Sequence, residues 1–178
     1  TIYYGSSPVS ADFEHTYYDW DNMRDTYSYG NYSNEEAQAV AVLMRDCGVA
    51  ADMEYGGSAE GGSGAYSQDA AEGLRLYFGF TEATCYERDN YYGTTYYSDE
   101  EWMDMVFKAL SEDGPIYYGG ADTWNGGHAF VLHGYNAQGK VYVNWGWSGD
   151  DDGYYDISLL NPGYYQFSVG QDMIIGVK

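Results

Sequence analysis

Positive charge is what this sequence has least of. Seven Lys and Arg stand against 28 Asp and Glu, a formal charge of −21 at pH 7. Sequence-independent nucleic-acid binding needs Lys and Arg to neutralise phosphates, and anionic lipid attracts the same residues. Neither nucleic acid nor a membrane surface is therefore an expected partner. Cysteine is almost as scarce: Cys47 and Cys85 are too few for a disulfide framework or a zinc site. Proline occurs three times. No apolar run approaches the ~20 residues of a membrane-spanning helix. No basic stretch followed by an apolar one opens the chain, so the expectation is of a chain without a signal peptide.

What is abundant is tyrosine and glycine, 23 and 24 of 178 residues, with six Phe and five Trp. Disordered chains share the charge imbalance but are poor in aromatics, so the sequence reads as folded. At 19.9 kDa it fits one domain, residues 1–178. Tyrosine favours strands and half-wet surfaces, which suit polypeptide or glycan contact and association. An acidic, Lys-poor, Tyr-rich chain is compatible with a secreted bacterial protein.

The first 32 residues are turn-rich. Ser33-Asn34-Glu35-Glu36 then reads as a capping box, in which the Ser33 hydroxyl and the Glu36 carboxylate satisfy free N–H groups at a helix start. Ala37, Val40, Ala41 and Met44 follow at helical spacing, and Gly48 is expected to stop the helix. Residues 56–64 read as a flexible Gly/Ser loop, and a second helix is expected from about Ser67 to Phe78. Ser98-Asp99-Glu100-Glu101 repeats the capping box and opens a third helix through Leu110, ended by Gly114-Pro115. From there the period changes to two. Strands are expected at Ile116–Gly119, His128–Tyr135, Lys140–Trp147, Gly153–Leu159 and Met173–Val177, with a hairpin turn at Asn136-Ala137-Gln138-Gly139. Helices first and strands afterwards, without βαβ alternation, mean an α+β chain with an antiparallel sheet.

His128 is the most informative ionisable residue. It opens a strong strand behind Gly126 and Gly127, which let another backbone approach closely. That is the setting of a general base facing a cleft, and also of an ordinary structural histidine. Sixteen residues on, Val143-Asn144-Trp145-Gly146-Trp147 falls on the next strand of the hairpin. An Asn144 side-chain oxygen there is expected to accept from one imidazole nitrogen and fix the tautomer, with Trp145 and Trp147 excluding water. The alternative for this stretch is a Trp-rich core hairpin.

These motifs are similar to those of a known family. Gly126-Gly127-His128-Ala129-Phe130-Val131, Val143-Asn144-Trp145-Gly146-Trp147 and Asp152-Gly153-Tyr154-Tyr155 resemble the C-terminal half of the streptopain family, papain-like cysteine peptidases secreted by bacteria. Tyr18-Asp19-Trp20-Asp21-Asn22-Met23, the Glu36–Cys47 helix and Val49-Ala50-Ala51-Asp52-Met53-Glu54-Tyr55-Gly56 match in the same order. The resemblance implies a papain-like fold and a polypeptide substrate. His128 would be the general base, with Asn144 and Trp145 orienting and shielding it and Trp147 beside them. Gly127 and Ser63 would be substrate contacts. It also implies that the nucleophilic cysteine and the oxyanion-hole glutamine lie N-terminal to everything present here, so the nucleophile helix is expected to be absent from this chain. The family's glycine-rich loop is shortened near Asn161–Gly170.

Neither Cys47 nor Cys85 stands in a Gly-Cys-aliphatic context at a helix start, and both are expected to be structural. His133, at odd spacing from His128, should face the other way, which disfavours a two-histidine metal site. Asp150-Asp151-Asp152-Gly153 lacks the alternating ligands of a calcium loop and reads as a solvated turn. Asn31-Tyr32-Ser33 fits a glycosylation sequon, and Thr1 lacks the pattern expected of an N-terminal nucleophile. No metal or cofactor is expected. Two functions remain: the larger part of a cysteine endopeptidase whose nucleophile comes from an N-terminal segment, or an inactive scaffold for binding or self-assembly. In either case that segment, or another copy of the chain, would cover the gap.

Overall fold

Serine followed three residues later by glutamate starts two of the helices. The Ser33 hydroxyl accepts from the Glu36 N–H at 3.2 Å while the Glu36 carboxylate takes the Ser33 N–H at 2.7 Å. Ser98 and Glu101 repeat the exchange at 3.3 and 2.9 Å. Each pair satisfies two N–H groups that a helix start otherwise leaves unbonded. The structure, a computed structural model, describes residues 1–57 and 61–178. In chain order its elements are β1 (Ile2–Tyr4), β2 (Ser7–Val9), α1 (Asn34–Ala50), α2 (Ser67–Tyr77), β3 (Thr84–Glu87), α3 (Asp99–Glu112), β4 (Ile116–Asp122), β5 (Gly126–Tyr135), β6 (Val141–Asn144), β7 (Gly153–Tyr155) and β8 (Val169–Ile175). The chain is α+β, as expected, but the helices do not all come first: β3, an edge strand of the main sheet, precedes α3. The elements fall into two compact units, Thr1–Phe78 and Gly79–Lys178.

In the first unit α1 packs on α2. Gly73 makes the approach close: a Cβ there would lie 2.5 Å from the Ala50 carbonyl oxygen. Buried Asp46 accepts from Arg45 Nε at 2.7 Å and from the Tyr18 hydroxyl at 3.1 Å, so its charge is paired. Gly48 does not end α1, which runs on to Ala50. Its lack of a side chain serves packing instead, since a Cβ would sit 2.0 Å from the Tyr55 hydroxyl oxygen. The short β1–β2 hairpin was not foreseeable from so brief an alternation. Of the expected loop at 56–64, residues 58–60 lie outside the described residues. Its flanks are joined by the Glu54–Gly64 pair, at 2.8 and 3.0 Å.

The second unit is a six-stranded antiparallel sheet in the order β3-β8-β4-β5-β6-β7. Helix α3 lays Trp102, Val106 and Ala109 on one face, against Ile116, Tyr118, Phe130, Leu132 and Val143. The indole N–H of Trp102 donates to the Tyr118 hydroxyl at 2.7 Å, and that hydroxyl donates to Gln171 Oε1 at 3.0 Å. Gln171 is buried, and its amide donates to the carbonyls of Ile157 and Phe167 at 2.8 and 3.0 Å. A buried network with every member bonded fixes one packing arrangement.

The β5–β6 turn falls where the sequence places it. Asn136 Oδ1 accepts from the N–H groups of Gln138 and Lys140, both at 3.0 Å. Two strands are shorter than their periodicity suggests. β6 stops at Asn144 because Gly146, Ser148 and Gly149 adopt positive φ in quick succession and turn the chain out of the extended conformation. β7 stops at Tyr155 because the Asp156 carboxylate accepts from the Ser158 N–H and hydroxyl and turns the chain. β8 begins earlier than expected, at Val169, beyond an irregularity in its pairing with β4. β3 was not anticipated.

Candidate active site

His128 lies on β5, on the side chain face shared with Phe130 and Leu132, and is half-buried. Its Nε2 lies 2.8 Å from the main-chain oxygen of Trp145. A carbonyl oxygen only accepts, so Nε2 carries the hydrogen. In the neutral ring the lone pair is then on Nδ1. Among the described residues Nδ1 has no hydrogen-bond partner. The tautomer is thus set by main chain, and the free nitrogen is the basic one.

Asn144 does not make the bond expected of it. In the β5–β6 register it pairs with Val131, three residues from His128 and therefore on the other face of the sheet. Its Oδ1 accepts instead from the Gly146 N–H at 2.9 Å, which closes the turn at Trp145-Gly146. Trp145, one residue further on, returns to the face of the imidazole. Its position is held from three directions. Its N–H donates to Asp152 Oδ1 at 2.9 Å, its indole N–H donates to the Asp151 carbonyl at 3.1 Å, and its side chain is fully buried against Phe130 at 4.5 Å. Asp152 is therefore not just part of a solvated turn, because it anchors the peptide that fixes the histidine.

Aromatic rings enclose the imidazole. Trp147 stacks on it at 5.0 Å and 24°, Trp145 lies parallel at 6.5 Å, and Phe167 is at 5.5 Å. Tyr165 stacks on Phe167 at 5.4 Å and touches Trp147 at 5.5 Å. Phe167 comes this close because Gly120, which pairs with His128 across β4–β5, has no side chain. A Cβ there would meet the Phe167 carbonyl oxygen at 2.7 Å. Phe167 and Tyr165 were not legible as site residues, since no local pattern marks them and they reach the histidine only through the β7–β8 connection.

Gly127 is exposed and pairs with Ala121, leaving one side of its backbone open. Ser63 belongs to the first unit, where its hydroxyl and the Gly56 backbone exchange bonds at 3.3 and 3.4 Å. His133 is exposed beside a bulge in β5, with its ring on Tyr142 at 4.7 Å. A polar cavity of about 270 Å³ lined by Arg88, Asp89, Asp99, Ser158 and Ser168 contains neither His128 nor its partners. The Arg88 guanidinium there is already bonded to Gln171 and Asp99.

Neither cysteine is prepared for nucleophilic attack. Both are free thiols. Burial, reinforced by Asp172 and Glu87, pushes the Cys85 thiol up to about 12. Cys47 lies on the exposed side of α1, not in a core as its sequence context suggests, yet desolvation first and then Asp46 raise its thiol. It stands near the C-terminal end of the helix, where the dipole also opposes a thiolate.

The model of the Peptidase C10 family matches residues 2–155. The chain is 34% identical to streptopain of Streptococcus pyogenes serotype M28 over 168 residues, 90% of this chain and 40% of that protein. It is 35% identical to the thiol protease/hemagglutinin PrtT of Porphyromonas gingivalis over 176 residues, 95% of this chain and 19% of that protein. The chain thus spans well under half the length of these relatives. Among solved structures, active wild-type interpain A cysteine protease of Prevotella intermedia superposes with a TM-score of 0.86 at 55% identity, covering 95% of this chain and 68% of that one. A prointerpain A fragment carrying a Cys-to-Ala substitution gives 0.81, also at 55% identity, covering 97% and 52%.

Proposed function

The chain belongs to the peptidase C10 family, and on that premise we propose that it supplies the general-base half of a cysteine endopeptidase. The nucleophilic thiol would come from a segment of the polypeptide outside these 178 residues. The observation that carries this reading is the 2.8 Å contact of His128 Nε2 with the Trp145 carbonyl, which leaves Nδ1 as the proton acceptor. The raised thiols of Cys47 and Cys85 support placing the nucleophile elsewhere.

In this reading His128 Nδ1 takes the proton of the thiol, and the thiolate attacks the carbonyl carbon of the scissile peptide bond. The imidazolium, steadied by the Trp145 carbonyl, gives that proton to the departing amine as the C–N bond breaks. A thioester remains on the cysteine. Nδ1 then removes a proton from water, the hydroxide attacks the thioester, and the thiol leaves with the proton returned to it. Trp147 and Phe167 cover the ring and keep bulk water from competing for its hydrogen bond. Asn144 acts at one remove, by closing the turn that aims the Trp145 oxygen. Gly127, and Ser63 in the other unit, are read as backbone and side-chain contacts to the polypeptide substrate.

The same segment has a second task. Val40, Ala41, Met44 and Cys47 form a stripe along α1 in which Ala41, Met44 and Cys47 are exposed, Met44 to 67%. We read the stripe as the seat of the nucleophile-bearing segment, and residues 1–178 as one incomplete peptidase domain. Extracellular location belongs to the same reading. Among the described residues no helix is long and apolar enough to cross a membrane. The test is peptide cleavage by the full-length polypeptide and by its His128→Ala variant. Cleavage that depends on His128 supports the reading. Cleavage-incompetent wild-type protein that forms oligomers through the α1 stripe favours the scaffold alternative.

A further inference from the structure

One buried carboxylate in the second unit has more partners than its place in β4 requires. Asp122 is 5% exposed and, among the described residues, forms no ion pair. Its Oδ1 accepts three hydrogen bonds, from the N–H of Trp124 at 2.8 Å, the N–H of Asn125 at 3.0 Å and the Asn125 amide at 3.0 Å. Its Oδ2 accepts a fourth, from the N–H of Gln166 at 2.8 Å, 44 residues away in the chain. These donors, that of Trp124 first, hold the carboxyl below the usual carboxylate range.

The two sets of donors lie on two different segments. Trp124 and Asn125 form the turn that leads through Gly126 and Gly127 into His128. Gln166 stands between Tyr165 and Phe167, in the connection that lays an aromatic wall against the imidazole. Asp122 itself pairs with Gly126 in the register, and Gly120, two residues before it, pairs with His128. One side chain therefore joins the stretch that carries the base to the stretch that covers it.

We propose that Asp122 is a positioning residue for His128, tying the entry turn of the histidine strand to the Tyr165-Gln166-Phe167 wall so that imidazole and wall keep a fixed spacing. This rests on the reading of His128 as the base. Asp122→Asn separates the two ties. The amide keeps an oxygen for the three donors at the turn but presents an NH2 to the Gln166 N–H, so donor meets donor and the wall is released. Asp122→Ala releases both sides. Gly120→Ala disturbs the same wall from the other side without removing a hydrogen bond, because its Cβ meets the Phe167 carbonyl oxygen.

The experiment records two quantities on the full-length polypeptide and these variants. One is the ring-proton resonances of His128, which sit in the ring currents of Trp147 and Phe167. The other is kcat and KM for a peptide substrate, with Tm measured alongside. The expected result is that Asp122→Asn and Gly120→Ala shift the His128 resonances. In Asp122→Asn kcat falls on the order of 10- to 100-fold, as for a sub-ångström to ångström misplacement of a catalytic group, while KM stays within about twofold. Asp122→Ala falls further. If Tm drops while the His128 resonances and kcat stay as in the wild type, Asp122 is merely structural and the proposal is overturned. Should the wild type not cleave peptides at all, the peptidase reading fails, and the tie is then decided by the resonances alone.

Discussion

The two units use the same devices to start their helices and differ sharply in what they bury. Both have a serine–glutamate capping box with nearly equal distances. Yet among the described residues the first unit buries three apolar side chains, Ile2, Ala39 and Ala71, and the second buries sixteen, among them Trp102, Tyr118, Trp145 and Phe167. Local helix signals cost little and form anywhere, whereas burial of large side chains supplies most of the stability. The second unit therefore holds most of the buried apolar core, and its sheet holds the imidazole. The first presents a helix with an exposed apolar stripe, which the proposed reading takes as the seat of the nucleophile-bearing segment.

The largest effect is expected from His128, the base in the proposed reading. His128→Ala in the full-length polypeptide should lower kcat/KM by roughly 10²- to 10⁴-fold, the usual weight of a general acid–base, as measured on a peptide substrate. Next comes the core of the second unit. Trp102→Ala removes a fully buried ring and the N–H that bonds Tyr118, and should destabilise by about 3–5 kcal/mol in denaturant unfolding. A loss under about 1 kcal/mol would break the contrast between the units. Met44→Ala tests the other side. In the 178-residue chain, where Met44 is exposed, it should change stability by no more than about 0.5 kcal/mol. In the full-length polypeptide, with the stripe covered, the same change should cost about 2 kcal/mol or more. Equal effects in both would remove the argument for a covering segment.

Much of this was legible in advance because it is local. Both capping boxes, the Asn136–Gly139 turn and the strand carrying His128 follow from short patterns whose physics acts within a few residues. The pairing of His128 with the Asn144-Trp145 segment was legible too, but not which atom bonds the ring. That depends on register, and a one-residue difference transfers the contact from the Asn144 side chain to the Trp145 carbonyl. Gly48 was misread for a related reason. A glycine near a helix end signals a stop, whereas here Tyr55 fills the space its side chain would take. Asp152 was legible only as part of a motif and a turn, not as the anchor of Trp145. Asp122 and Phe167 were not legible as site residues, because the Asp122–Gln166 bond and the Phe167 contact join segments some 40 residues apart.

Two smaller effects separate the units further. Ser98→Ala should cost about 1 kcal/mol in global unfolding, since α3 is part of the main core. Ser33→Ala, with a similar cap, should appear chiefly as faster amide hydrogen exchange in α1. The last effect is on pH. The Cys85 thiol stays protonated in the folded chain up to about 12, against an ordinary value of 9.0. Between these pH values the unfolded chain loses a proton that the folded one keeps, so stability falls as pH rises through the window. Cys85→Ser should make that slope shallower in unfolding curves taken across it.

In the proposed reading His128 serves as base for a thiol that lies outside residues 1–178. The most direct measurement alkylates the full-length polypeptide briefly with iodoacetamide near neutral pH and maps the labelled cysteine by mass spectrometry, with and without His128→Ala. One fast-reacting cysteine outside residues 1–178, slowed when His128 is removed, is the predicted result. Fast labelling at Cys47 or Cys85, or a fast thiol indifferent to His128, would contradict it.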